Sequence, residues 1–351
     1  MTRAVRLLAA SMLLAVSACA NIGGGGFNAK PADVYSIMPT QDDVRSLMGG
    51  DTNWWAGPPS FEVRPLDAQT TPASQKFSVS QLFQHLGTAE ELFARYTVFD
   101  KTSSASTAMT NLQTNLGPSP SSPKVGDQVL YYGAGGTGGA PYVTRTFVRV
   151  GQVILTLIWS RKDRGVTTDM LAKNARKFVG PLSTISKVHA KPQPVESREL
   201  PPPGLDVTLL GAAQVPVESF VVLSRTAQPD FVRKLMKDIG VTTLPYGDYA
   251  LNNDTHMEVQ TALLTLATAS DADGWAKAFG PGQQPDSQGI YMGYIPTGGS
   301  PAAGTYVLTF AVGQYGGYLT CRSSIEGEAA SRECEAPVHN TAVAWKLALG
   351  G

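Results

Sequence analysis

Asp42-Asp43-Val44-Arg45-Ser46-Leu47-Met48 and Asp230-Phe231-Val232-Arg233-Lys234-Leu235-Met236 agree at five of seven positions. The first copy reads as a short helix: Thr40 stands at the N-cap, the early acids suit the helix dipole, and Gly49-Gly50 ends it. Two further landmarks return in the same order. Thr97-Val98-Phe99 leads into a helical pattern from Ser103, as Leu264-Thr265-Leu266 leads into one over residues 272–279. Val150-Gly151-Gln152 and Val312-Gly313-Gln314 each turn one strand into the next. A helix then closes each copy, at residues 168–179 and 342–349. One such match in a chain rich in Ala, Val, Leu and Gly is coincidence, but three in order predict a duplicated unit.

Working outward within the first copy, residues 53–59 read as a turn-rich stretch and residues 61–66 as a strand that Pro65 either places at an edge or ends. Residues 77–93 read as helix in two pieces broken at Gly87, and residues 95–99 as a strand. A helix over 103–116 stops at Gly117-Pro118. Strands over 128–132, 142–150 and 153–160 have connections too short for parallel crossovers, so they form an antiparallel meander. The expected fold class is α+β, with two similar units, each a small antiparallel sheet with helices packed on one face. Residues 186–204, with Pro192, Pro194, Pro201, Pro202 and Pro203, are the expected linker. It separates a first domain at 35–185 from a second at 205–351.

The N-terminus carries an address. Arg3 and Arg6 precede an apolar run over residues 7–16, too short to span a bilayer and built like a secretion signal. It ends in Val16-Ser17-Ala18-Cys19, which resembles the lipobox of bacterial lipoproteins. The resemblance implies a signal peptide over 1–18 and lipidation of Cys19 as the new N-terminus. Residues 19–34, opening Ala20-Asn21-Ile22-Gly23-Gly24-Gly25-Gly26, then form a tether that lets an anchored domain stand clear of the membrane. Each buried methylene contributes about 0.8 kcal/mol, so two or more acyl chains hold a protein firmly. The expected location is the cell envelope: the cell membrane of a one-membrane or actinobacterial cell, or the outer membrane of a two-membrane one. Ala20 lacks the acidic character that, in lipoproteins of two-membrane bacteria, favours retention in the inner membrane.

Charge narrows the partners. Lys plus Arg and Asp plus Glu balance at 28 each, and removing residues 1–18 takes away only Arg3 and Arg6, leaving a formal −2. With no basic block, nucleic acid is excluded as a partner. The 36 glycines and 24 prolines imply many turns and short elements. With Cys19 assigned to lipid, Cys321 and Cys334 remain and pair in an oxidising compartment, closing a loop worth roughly 3 kcal/mol. The alternative, a metal or redox pair, has neither CxxC spacing nor a zinc-type cluster, although His339 is nearby.

Candidate chemistry is sparse. Gly133-Ala134-Gly135-Gly136-Thr137-Gly138 fits GxGxxG by letter, but Pro141-Tyr142-Val143 begins a strand where a dinucleotide site needs a helix. Asp254, His256 and Glu258 alternate along an expected strand, as half a metal site or, by the larger weight, as its solvent face. His85, His189 and His339 sit in unrelated surroundings, and no HExxH, GxSxG or supported SxxK occurs. Asp42, Asp43, Glu90 and Glu91 read as first-turn helix acids. Trp54 and Trp55 are the most suggestive ligand-binding pair, able to stack on a sugar or a partner; the competing reading is that such an indole plugs the end of a core.

No catalytic residue, cofactor or metal is therefore assigned. The order strand, helix, meander, helix with a late disulfide is similar to extracytoplasmic sensor-type domains of actinobacterial lipoproteins and membrane kinases, which usually carry more cysteines. The resemblance implies a fold and no ligand. The expectation is a non-catalytic, lipid-anchored envelope protein that binds a protein, envelope polymer or small ligand. An anchored hydrolase acting on envelope material is the alternative. A catalytic pocket would gather acids or a Ser/His pair with shifted pKa values in one concavity, whereas a binding module would show an apolar or aromatic groove without them.

Overall fold

The computed structural model describes residues 29–62, 74–88, 90–120, 123–134, 141–162, 165–183 and 194–351, the last without 205, 225, 227, 255, 283, 298–299 and 324–328. Cys19, the signal and most of the tether, Pro65, the loop from Gly135 to Gly138, and His189 lie outside the described residues.

Two six-stranded antiparallel sheets account for the strands of the described residues. The first contains β1 (Trp54–Glu62), β2 (Gln75–His85), β3 (Glu91–Phe99), β4 (Gln128–Ala134), β5 (Tyr142–Val150) and β6 (Val153–Arg161), in the order β1-β2-β3-β6-β5-β4. The second contains β7 (Val207–Pro216), β8 (Thr243–Leu251), β9 (Met257–Thr265), β10 (Ile290–Thr297), β11 (Ser300–Val312) and β12 (Tyr315–Ser323), in the order β10-β11-β12-β9-β8-β7. Read from β7, the second order repeats the first strand for strand. The chain is an α+β duplication.

Two pairs of helices sit at equivalent places in the two units. α3 (Thr102–Leu116) follows β3 as α7 (Ala269–Phe279) follows β9, and α4 (Thr168–Val179) follows β6 as α8 (Glu335–Ala348) follows β12. The pair α1 (Pro31–Tyr35) and α2 (Gln41–Leu47) precedes the edge strand β1. The helix pair of the second unit, α5 (Val217–Leu223) and α6 (Pro229–Asp238), instead follows the edge strand β7, so this part of the two units is not equivalent. Local chemistry explains several boundaries. Thr40 and Asp43 form a reciprocal capping box at α2, so Asp43 satisfies the Thr40 amide while its own amide donates to the Thr40 hydroxyl. Gly151 (φ 59°) and Gly313 (φ 53°) open the two equivalent hairpin turns, where a left-handed residue matches the twist of the strands.

Residues 77–93, expected to be helical, instead form the β2–β3 hairpin. Val79, Leu82, Phe83 and Leu86 do fall at helical spacing, but β2 is covered on both faces over most of its length, which erases the alternation that marks a strand. Residues 53–59, expected to be a turn, instead run into β1, whose pairing with β2 shifts register between Ala56 and Pro59. That irregularity accommodates two prolines in an edge strand.

The helices, expected on one face of each sheet, divide between its two faces. Phe147 and Ile154 pack with Ala105, Met109 and Leu112 of α3, whereas their chain neighbours Val148 and Leu155 belong to the core that holds Leu171, Ala175 and Phe178 of α4. In the second unit Leu319 packs with Val338, Ala342 and Trp345 of α8, and Tyr318 with Trp275 of α7. Central strands with apolar residues on both faces require cover on both.

The units join through their edges. α5 of the second unit packs on β1 of the first, where Ser219 Oγ donates to the Gly57 carbonyl at 3.4 Å. Phe61 of β1 lies against Gly211 of β7, so closely that a Cβ on Gly211 would stand 2.5 Å from the ring. Tyr35 meets the same ring edge-on at 6.3 Å.

Candidate functional site

Between the two sheets lies a polar cluster drawn from six strands. Ser60 and Glu62 alternate along β1 and face the same side. Asp248 on β8 and Glu258 on β9 approach from the second sheet, 0% and 7% exposed. Asp248 Oδ2 accepts the Phe61 amide at 2.5 Å, and Ser60 Oγ donates to Glu258 Oε1 and, at 3.4 Å, to Asp248 Oδ2. Arg322 on β12 donates to Glu258 Oε2 at 2.6 Å. Ser78 Oγ donates to Glu62 Oε2 at 3.2 Å, and the Arg95 charge on β3 acts on the same carboxylate. Gln260 Nε2 donates to Tyr246 Oη at 2.7 Å and to Glu258 Oε1 at 3.3 Å.

This environment drives the acids apart. Burial holds the Asp248 carboxyl well above the usual carboxylate range, and the Glu258 charge adds to the effect; the Phe61 amide and Arg322 oppose it and lose. Glu258 is also desolvated, but the Arg322 charge and the hydrogen bonds from Arg322, Ser60 and Asp248 outweigh burial and lower its pKa. Burial pushes Glu62 up to about 7 against the pull of Arg95. Asp248 Oδ1 and Arg95 Nε are buried without a hydrogen-bond partner among the described residues.

Two surface clefts lie elsewhere. The larger, about 520 Å³, is lined by Asp273 and Lys277 of α7, Tyr291 of β10, Lys346 of α8, and Gly289. The smaller, about 190 Å³, surrounds the β2–β3 turn with His85, Thr88, Glu90 and Glu91. There Thr88 Oγ1 meets His85 Nδ1 at 2.9 Å, and His85 Nε2 meets Asp51 Oδ2 at 2.8 Å. Thr88 Oγ1 also accepts the Glu90 amide at 3.2 Å, as a hydroxyl does in a turn. Neither cleft is lined by Glu62, Asp248 or Glu258.

The residues singled out from the sequence are placed as follows. Trp54 and Trp55 are in β1, each 2% exposed, so their indoles fill the core instead of offering a stacking surface. Trp54 meets His85 edge-on at 5.6 Å, and Trp55 lies beneath the guanidinium groups of Arg45 and Arg233. Glu258, given to the solvent face of its strand, is buried in the inter-sheet cluster, because β9 is covered on both faces; Asp254 and His256 precede the strand, with Asp254 Oδ1 accepting the His256 amide at 3.0 Å. Glu90 and Glu91 are not helix acids. Glu90 accepts from Trp159 Nε1 at 2.7 Å and pairs with Arg161, while Glu91 accepts from Gln84 Nε2 at 3.0 Å. Cys321 and Cys334 are joined, with Cα atoms 6.4 Å apart and both residues buried.

The inter-sheet cluster escaped sequence reading because its members are far apart in the chain. The available signal was a carboxylate inside an apolar run, as in Tyr246-Gly247-Asp248-Tyr249-Ala250-Leu251 and Met257-Glu258-Val259. Among the described residues no group of three or more His, Cys, Asp or Glu side chains is placed to hold a metal ion, and no helix is long and apolar enough to cross a membrane.

No family model matches the sequence, and no curated protein matches it. Among solved structures, a weak neighbour is the extracellular domain of PknH from Mycobacterium tuberculosis, at 9% identity and a TM-score of 0.32, covering 46% of this chain and 98% of that one.

Proposed function

We propose that this chain is an exported lipoprotein, held to the cell envelope through lipidated Cys19, whose two units bind a target without transforming it. The observation that carries the binding reading is the position of the shifted acids. Asp248 and Glu258 are the pair whose environments separate them as a general acid and base require, yet they are sealed between the sheets and line neither described cleft. Their hydrogen bonds hold β1 to β8, β9 and β12, which is the work of a joint between domains. Support for export comes from Arg3, Arg6 and Val16-Ser17-Ala18-Cys19, and from the Cys321–Cys334 bridge, a bond that persists in oxidising compartments. Fractionation of cells expressing Cys19→Ala tests the anchor. The variant is expected in the soluble fraction with its fold intact, and an unchanged membrane fraction would refute the proposal.

The second reading, an anchored hydrolase, has one observation in its favour: the Thr88–His85–Asp51 chain of hydrogen bonds. Glu90 and Glu91 line the same cleft and would oppose an oxyanion forming there. Hydrolysis of ester or glycoside probes that disappears in His85→Gln would favour this reading over binding alone.

A further inference from the structure

The larger cleft is built in a way that the rest of the fold does not require. Ser270, Asp273, Gly274 and Lys277 fall on one face of α7 and turn toward it, while Ala272 and Trp275 are buried behind them. Gly274 sits inside the helix, where glycine is the poorest ordinary residue, and a Cβ there would meet nothing within 4 Å. Packing therefore does not explain it; the absent side chain leaves the cleft open at that point. Across the cleft, Lys346 Nζ is held by the Gln288 carbonyl at 2.8 Å, over Gly289, where a Cβ would stand 2.7 Å from the ammonium. Lys277 and Asp273 line the cleft, and their side chains make no ion pair or hydrogen bond among the described residues. Two cations from different helices, one carboxylate, the Ser270 hydroxyl and the Tyr291 ring thus converge on about 520 Å³.

We propose that this cleft binds the anionic group, phosphate or carboxylate, of a small hydroxylated ligand. Lys277 and Lys346 flank the anion, Asp273 and Ser270 receive hydroxyl groups, and the Gly274 gap admits the body of the ligand against Tyr291. The inference rests on the reading of the chain as a binding protein. It is independent of acylation at Cys19, which mass analysis decides separately.

The test uses the full-length protein in two arms. In the first, calorimetric titration with glycerol 3-phosphate is compared with glycerol alone. In the second, Cys19→Ala protein is floated with phosphatidylcholine vesicles with and without phosphatidic acid. Saturable binding of glycerol 3-phosphate but not glycerol, reduced at least tenfold in Lys277→Ala and in Gly274→Ala, supports a free ligand. Phosphatidic acid-dependent flotation lost in Lys277→Ala supports a lipid headgroup. Gly274→Ala is expected to raise the melting temperature while weakening binding, a split that a purely structural glycine would not give. Absence of a saturable response in both arms, equal binding of glycerol, or full affinity in Lys277→Ala would overturn the proposal.

Discussion

Arg45 and Arg233, matching positions of the repeated heptapeptide, lie over the same indole: their guanidinium carbons stand 5.7 and 5.1 Å from the ring centroid of Trp55. Each also pairs with the acid three residues earlier, Asp42 or Asp230. The two copies of the heptapeptide, one before β1 and the other after β7, therefore meet in space at a single indole, although they stand at different points of the strand order.

The two arginines are predicted to contribute unequally. Arg45 donates from Nε to the Trp54 carbonyl at 3.0 Å and from a terminal nitrogen to the Thr52 carbonyl at 2.8 Å, whereas Arg233 has only the exposed Asp230 besides the ring. Arg233→Ala should cost about 0.5–1 kcal/mol and Arg45→Ala more. Trp55→Ala, emptying a buried site, should cost about 3–5 kcal/mol. Denaturant unfolding of the three variants checks the order.

The contact between Phe61 and Gly211 leaves no room for a methyl group. Gly211→Ala should destabilise the protein by about 1–3 kcal/mol through overpacking, and Gly211→Val by more. Addition of Phe61→Leu should recover part of the loss, as a double-mutant cycle would show.

The duplication was legible because hairpin turns carry local signals. Gly151 and Gly313 require a left-handed backbone whatever else surrounds them, whereas the Thr40–Asp43 capping box of α2 has no counterpart at α6, where Gln228 makes no side-chain cap. The β2–β3 hairpin was not legible, since Val79, Leu82, Phe83 and Leu86 satisfy a helical period and only the second layer of cover makes them a strand. The inter-sheet cluster was beyond reach for a related reason. Ser60, Asp248, Glu258 and Arg322 acquire their chemistry from one another, and that meeting is a property of the joint between units, not of any segment.

Stability should fall as pH rises through the range in which the raised acids ionise. Glu62 has an ordinary value of 4.5 and is raised to about 7, so between these limits the folded state binds more protons than the unfolded chain. Its contribution is complete below 4.5 and is lost as pH climbs through 7. Asp248 acts in the same direction. Glu258, whose pKa is lowered, does the opposite, and its contribution is lost as pH falls below the ordinary glutamate range. Glu62→Gln should remove up to about 1.4 kcal/mol per pH unit from the slope. Urea unfolding from pH 4.5 to 8 measures it.

The Cys321–Cys334 bridge closes a loop with a sequence separation of 13 and ties the end of β12 to the start of α8. Cys321→Ala with Cys334→Ala should lower stability by roughly 2–4 kcal/mol. The loss should appear first in amide exchange of α8, whose Trp345 and Val338 pack on the same face of the second sheet as Cys321.

Intact mass and fragmentation of the N-terminal peptide, taken from protein extracted out of native membranes, bear most directly on the proposed anchor. The account predicts that residues 1–18 are gone and that the first residue is Cys19 carrying at least two acyl chains. A peptide that retains residues 1–18, or one that begins elsewhere with an unmodified Cys19, would contradict it.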